Sequence, residues 1–151
     1  MSLDASGRSI WRGGDAVNRG LVARLACVTT GAQELGVFGE RMAERWLVRA
    51  GWRVLARRFR VGHRDIDLIV RRDRTIAFVE VKTRSGLGFG EPVTAVDRRK
   101  RRHLYRAAVI WVDRFGVPGA EYRFDVIGVG LRAGLIRISH VENAFQADAS
   151  R

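Results

Sequence analysis

The chain has 151 residues, a length that favours one compact domain. Hydrophobic residues make up 46% and charged residues 29%, which excludes a mostly disordered or collagen-like chain. Lys and Arg number 28 against 16 Asp and Glu, a formal +12 that points to a polyanionic partner, nucleic acid before a membrane surface. No run of about 18 apolar residues exists to span a bilayer.

Residues 1–33 show no sustained period and read as a poorly ordered basic extension, with one helical turn at most around Leu21–Val28. The signal sharpens from Glu34. Leu35, Phe38, Met42 and Trp46, then Ala43, Leu47 and Ala50, recur at helical spacing, and Gly51 is a stop. Trp52–Arg60, Asp65–Arg71 and Thr75–Lys82 read as strands, with a turn at Arg72-Asp73-Arg74. Thr83–Glu91 is a Gly-rich loop. Pro92 and Thr94-x-x-Asp97 predict the start of a second helix, which Gly116 and Pro118 end after Phe115. Its apolar face is Val96, Leu104, Ala107, Ala108, Trp111, Val112 and Phe115. Tyr122–Val129 and Leu135–His140 are two more strands, and the tail after Glu142 is expected to fray. One α/β domain is thus expected over 34–142, with the extension before it and residues 143–151 as a tail.

The turn after Arg72 brings chemistry together. A two- or four-residue hairpin loop there sets Asp67 opposite Glu80, Asp65 opposite Lys82 and Ile69 opposite Phe78. A three-residue loop mismatches the apolar and polar faces. In the favoured register two carboxylates meet at about 5 Å between Cβ atoms, which repels unless a cation intervenes. Mg²⁺ accepts one or two carboxylates with waters and a phosphate. Lys82, one pleat on, could reach an attacking water or a phosphoryl oxygen. That set suits metal-assisted phosphodiester hydrolysis. Taken alone, Glu80-x-Lys82 also fits an ordinary solvated strand face. Ile76 and Phe78 on the same face, and Asp67 opposite, argue for a site.

The sequence resembles the PD-(D/E)xK nuclease superfamily, and more closely the YraN family of predicted endonucleases. The resemblance lies in Gly36-x-x-Gly39-Glu40-x-x-Ala43, Asp65-Ile66-Asp67-Leu68-Ile69 and Phe78-Val79-Glu80-Val81-Lys82-Thr83-Arg84-Ser85. It continues through Phe89-Gly90-x-Pro92, Ala95-Val96, Lys100 and Arg123-Phe124-Asp125-Val126. It implies a restriction-endonuclease-like αβββαβ core, a mixed central sheet flanked by helices. It implies Asp67 and Glu80 as metal ligands helped by the Val81 carbonyl, with Mg²⁺ or Mn²⁺ as the ion, and Lys82 as the catalytic lysine. Glu40 resembles the additional acid of archaeal Holliday-junction resolvases; by itself it is also an acid placed well for the dipole of its helix. The family usually reads Gly-Glu-Ile-Asp where this chain has Arg64-Asp65-Ile66-Asp67. Asp65 keeps the charge one methylene shorter, and Arg64 adds a cation.

Arg98, Arg99, Lys100, Arg101 and Arg102 put five cations at a helix N-terminus, against its dipole. Phosphates would relieve that cost, so these residues and Arg84 are candidate nucleic-acid contacts. The chain has two lysines, Lys82 and Lys100, beside 26 arginines, so each lysine is informative. Weaker features read as background. Gly86-x-Gly88-x-Gly90 lacks dinucleotide spacing. His63, His103 and His140 lack metal-ligand spacing and read as polar surface or loop. Trp11, Trp46, Trp52 and Trp111 read as core or interface, and Asp125 as a structural partner for an arginine. The lone Cys27 excludes an intramolecular disulfide and suits a cytoplasmic compartment; no secretory signal is evident.

The leading expectation is a Mg²⁺-dependent nuclease acting on DNA, branched or flapped forms included. The alternatives are a non-catalytic nucleic-acid-binding protein that keeps the fold and, more weakly, a module for an acidic protein partner. Oligomeric state is open, a homodimer included.

Overall fold

A computed structural model of the chain describes residues 9–11, 31–85, 96–132 and 135–145. The elements are β1 (Ser9–Trp11), α1 (Ala32–Arg49), β2 (Arg53–Val61), β3 (Arg64–Arg72), β4 (Thr75–Ser85), α2 (Arg98–Phe115), β5 (Glu121–Arg132) and β6 (Leu135–Phe145). They form one six-stranded sheet in the order β1-β6-β5-β4-β3-β2. Only β4 and β5 run parallel, joined by the α2 crossover; the other neighbours are antiparallel. The run α1-β2-β3-β4-α2-β5 is the expected αβββαβ core.

The apolar stripes read from the sequence explain the layering. Met42, Ala43 and Leu47 of α1 pack on one sheet face with Trp52, Leu68, Val70, Ala77, Val79 and Val81. Leu104, Ala107, Ala108 and Trp111 of α2 pack on the other with Ile69, Ile76, Phe78, Phe124 and Val126. Strand β4 therefore alternates cleanly between two cores, as a strand covered on both faces must. Past the apolar sheet centre β4 carries Glu80, Lys82, Thr83, Arg84 and Ser85, with Val81 still in the α1-side core.

Local signals set the ends. Gly51, at φ +86°, lets Trp52 N–H donate to Leu47 O and Gly51 N–H to Val48 O, each at 3.0 Å. That pair of hydrogen bonds closes α1, and Trp52 and Leu47 share one core. At Gly39 a Cβ would lie 1.7 Å from Thr83 Oγ1 and 2.8 Å from Thr83 Cβ, so only glycine lets α1 approach β4 this closely. The second helix starts later than Thr94 predicts. Asp97 is its cap, accepting from Lys100 N–H at 2.7 Å, and residues 86–95 lie outside the described ones.

Two expectations about the termini are corrected. The frayed tail after Glu142 is strand as far as Phe145, because that ring is buried and stacks on Phe124 at 5.1 Å. Within the extension, Ser9–Trp11 pairs with β6, so the backbone there extends the sheet. Among the described residues no helix is long and apolar enough to cross a membrane.

Candidate active site

The β3–β4 hairpin has the predicted register, with Arg72 against Thr75, Ile69 against Phe78 and Leu68 against Val79. There the backbones part. The Val81 N–H donates instead to Asp67 Oδ2, at 2.7 Å. The Asp67 carboxylate thus takes the place of a backbone acceptor between the strands, rather than facing Glu80 across a regular pleat. The cause is a change of facing in β3. Ile66 and Ile69 belong to the same core although three residues apart, which strict alternation forbids. Strand β2 is irregular at the same level. Arg58 lies between the pairs Arg57–Leu68 and Phe59–Ile66, hence opposite Asp67, and its φ is +46°.

Beyond Phe78 the α2 face of β4 turns polar. Glu80 is 3% exposed. Its Oε1 accepts from Lys82 Nζ at 2.7 Å, and its Oε2 lies 3.2 Å from Lys100 Nζ. The Lys100 ammonium hydrogen-bonds well only to Asp65 Oδ1, at 2.9 Å; Glu80 Oε2 is buried without an aligned donor. So Asp65 meets Lys100, not Lys82 as the register suggested, while Lys82 folds back onto Glu80.

The charges respond. Burial, and then the Glu80 carboxylate, push Asp67 up to about 7, against the pull of the Val81 N–H and Lys100. Burial opposes the charge on Asp65, but its Lys100 hydrogen bond and that cation's field hold it below the usual range. Burial also opposes the charge on Lys100, yet Glu80 and Asp65 hold it above the ordinary lysine value.

A hard divalent ion fits this donor set. Asp67, which burial and Glu80 hold above the usual carboxylate range, and Glu80, whose buried Oε2 has only the unaligned Lys100 ammonium at 3.2 Å, suit Mg²⁺ or Mn²⁺, which complete their shell with water. The Val81 N–H faces Asp67, and in extended backbone its carbonyl points the same way. Among the described residues no group of three or more His, Cys, Asp or Glu is placed to hold a metal ion, so an ion here would take only two carboxylates and a carbonyl from the chain and fill its shell with water.

Glu40 comes close without joining. It is clamped by Arg58, Nε to Oε2 at 2.7 Å and Nη2 to Oε1 at 3.1 Å, and its charge adds to the field that raises Asp67. The basic run divides around the helix. Lys100 enters the site. Arg101 donates to Val96 O at 3.0 Å and lies 5.2 Å over the Phe145 ring, so it serves the scaffold. Arg98, Arg99 and Arg102 are exposed, as is Arg84 at the end of β4. A helix turns about 100° per residue, so five consecutive cations cannot share one surface.

His140 is corrected from surface to core. It is 2% exposed, 2.7 Å from Asp125 Oδ2, with the Trp46 ring edge-on at 5.1 Å. Asp125 has the expected arginine, Arg123, at 3.1 Å. The His63 and His103 rings meet edge-on at 5.3 Å, and partial burial with His63, Arg99, Arg64 and Lys100 nearby lowers His103. Trp52 and Trp111 are core. The Gly86-x-Gly88-x-Gly90 loop and Cys27 lie outside the described residues, as does the Trp11 side chain. Sequence reading missed Arg58. Its signal was there: adjacent arginines at 57 and 58 break a strand's alternation.

Residues 39–129 match the profile described as "Uncharacterised protein family UPF0102", the YraN family. The chain belongs to this family. It is 45% identical to the UPF0102 protein of Nocardia farcinica over 102 residues, 68% of this chain and 80% of that one. With the Geobacter sulfurreducens UPF0102 protein the identity is 41% over 113 residues, 74% and 88% of the two chains. With that of Chlorobium phaeobacteroides it is 38% over 120 residues, 76% and 94%. The family match contains Glu40, Asp65, Asp67, Glu80, Lys82 and Lys100 together, and leaves out β1 and β6.

Proposed function

We propose that the chain is a metal-dependent nucleic-acid phosphodiesterase, endonuclease-like, acting on DNA and on branched forms among its substrates. The observation that carries this reading is the Asp67–Glu80 pair on β3 and β4: burial and the Glu80 carboxylate push Asp67 up to about 7, and Glu80 is buried with one oxygen lacking an aligned hydrogen-bond donor. Asp67, Glu80 and the Val81 carbonyl would hold Mg²⁺ or Mn²⁺. When bound, the ion would lower the pKa of a water and stabilise charge on the phosphoryl oxygens. Lys82 holds Glu80 in place and has its ammonium partly exposed, within reach of a phosphate oxygen. Exposed Arg84, Arg98, Arg99 and Arg102 would meet the phosphate backbone, with binding that weakens steeply as salt rises. Arg101, turned to Val96, contributes less than its position in the run suggests. A cytoplasmic location accords with this reading.

The test is a cleavage panel of linear, flapped and branched DNA with Mg²⁺ or Mn²⁺. Wild type should cleave, and Lys82→Ala and Asp67→Asn should lose activity. Cleavage that survives both substitutions comes from a contaminant and defeats the proposal. A second reading, a non-catalytic nucleic-acid-binding protein, draws on the two lysines that already approach Glu80. Tight, salt-sensitive binding without cleavage would select it.

A further inference from the structure

We infer that Lys100 is a built-in counter-ion of the acidic cluster: its ammonium stands in the position that a divalent ion takes over, and Asp65 is the anchor to which it withdraws. This rests on the metal-dependent reading above and adds a residue that sets how tightly the ion is held.

The geometry separates the two lysines. Lys82 Nζ makes an aligned 2.7 Å bond to Glu80 Oε1 from two residues away on the same strand. Lys100 arrives from α2. It is hydrogen-bonded to Asp65 at 2.9 Å and only leans on Glu80 Oε2, at 3.2 Å. The weaker contact is the one that yields. The Asp65 side chain is 45% exposed, so the ammonium can move outward while keeping its partner.

Residue type supports the same role. Among 28 basic residues this position keeps one of the two lysines. A compact ammonium on a four-carbon stem swings easily, whereas a guanidinium fork grips a carboxylate with two bonds and is harder to displace. Its two neighbours on α2 do not share the role, since Arg99 is exposed and Arg101 is held by Val96 O.

The experiment is calorimetric titration of Mn²⁺ into the full chain, wild type and variants, with no substrate present. Lys100→Met and Lys100→Gln should bind Mn²⁺ about tenfold more tightly, because the ion no longer displaces an ammonium. Lys100→Arg should bind several-fold more weakly. Unfolding curves in chelator confirm that each variant folds, and the isopolar Gln variant stands in should Met fail. Affinities for Met and Gln within twofold of wild type, or weaker, overturn the inference. So does an Arg variant equal to wild type, which marks a charge acting at a distance rather than an occupied position. In both cases Mn²⁺ still binds and the metal-dependent reading stands. Folded proteins that all bind no Mn²⁺ defeat both.

Discussion

Two buried carboxylates lie on adjacent strands, Glu80 on β4 and Asp125 on β5, and their neighbours treat them differently. Asp125 is saturated. Its Oδ2 meets His140 Nε2 at 2.7 Å and Arg123 Nη2 at 3.1 Å, and its Oδ1 accepts the Asn143 N–H at 3.0 Å. Arg123 continues to Glu142 at 3.1 Å and lies over the Trp52 ring. Glu80 has Oε1 bonded to Lys82 and Oε2 only approached by the Lys100 ammonium, at 3.2 Å without an aligned hydrogen bond, beside an Asp67 that burial and Glu80 itself push up to about 7. A buried charge that its own chain satisfies is scaffold. A buried charge left short is free to take a ligand, and a fold tolerates it at a functional site.

The sharpest way to break this contrast is a crossed pair of substitutions. Glu80→Gln should cut metal-dependent cleavage on the order of 10³-fold, the scale seen when a group that stabilises transition-state charge is lost, with the fold kept. Asp125→Ala should do the reverse. It strands Arg123 and costs about 3–5 kcal/mol in stability, as removing one partner of a buried pair does. Cleavage per folded molecule should stay unchanged. Denaturant unfolding and rates at matched folded fraction check both. Cleavage abolished in fully folded Asp125→Ala would move that cluster out of the scaffold.

The contrast was only partly legible in the sequence. The hairpin register was readable because it alone matches apolar faces, and it brought Asp67 near Glu80. The stripe of Leu35, Phe38, Met42 and Trp46 gave away α1, and the scarcity of lysine singled out Lys100. The plugging of Asp67 onto the Val81 N–H was not readable. It depends on β3 changing face so that Ile66 and Ile69 share one core, a tertiary effect. His140 looked like surface because its burial is supplied by Asp125, 15 residues away, and by Trp46 of α1. Arg101 belonged to a charge run until Phe145, at the far end of the chain, gave it a partner.

Titration separates the clusters next. Asp67 is pushed from 3.8 to about 7, so between those values the folded protein holds a proton that the unfolded chain has released. In chelator this contribution is full below pH 3.8 and is lost as pH rises through about 7. Most native carboxylates act in the opposite direction. The size is on the order of a few kcal/mol. Asp67→Asn should flatten this part of the stability profile and raise stability at pH 8. Mn²⁺ needs the ionised carboxylate, so its affinity should climb with pH across the same range. A wild-type profile that matches Asp67→Asn would remove the strain assigned to the site.

A scaffold change near the site should behave like Asp125 and unlike Asp67. Gly39→Ala drives a methyl into Thr83, whose Cβ is 2.8 Å from the added atom, so rotation of the threonine cannot clear it. Overpacking of this kind costs about 1–3 kcal/mol. Thermal unfolding should show that loss, with Mn²⁺ affinity in the folded protein close to wild type. Thr83→Ala in the same chain should recover part of it.

The smallest effect concerns Glu40, which lies between the two categories. It is already paired with Arg58, and the Arg58 side chain is 43% exposed. Such a pair is worth about 0.2–1 kcal/mol, so Glu40→Gln should barely move stability. Its charge, however, is among those that raise Asp67. Removing it should shift the pH midpoint of Mn²⁺ binding slightly downward and leave cleavage above pH 8 within a few-fold of wild type. A greater than tenfold loss of cleavage there would mean that Arg58 releases Glu40 to the ion when substrate binds. Glu40 would then belong with Glu80 among the carboxylates that the fold leaves short, and Arg58 would be to Glu40 what Lys100 is to the cluster.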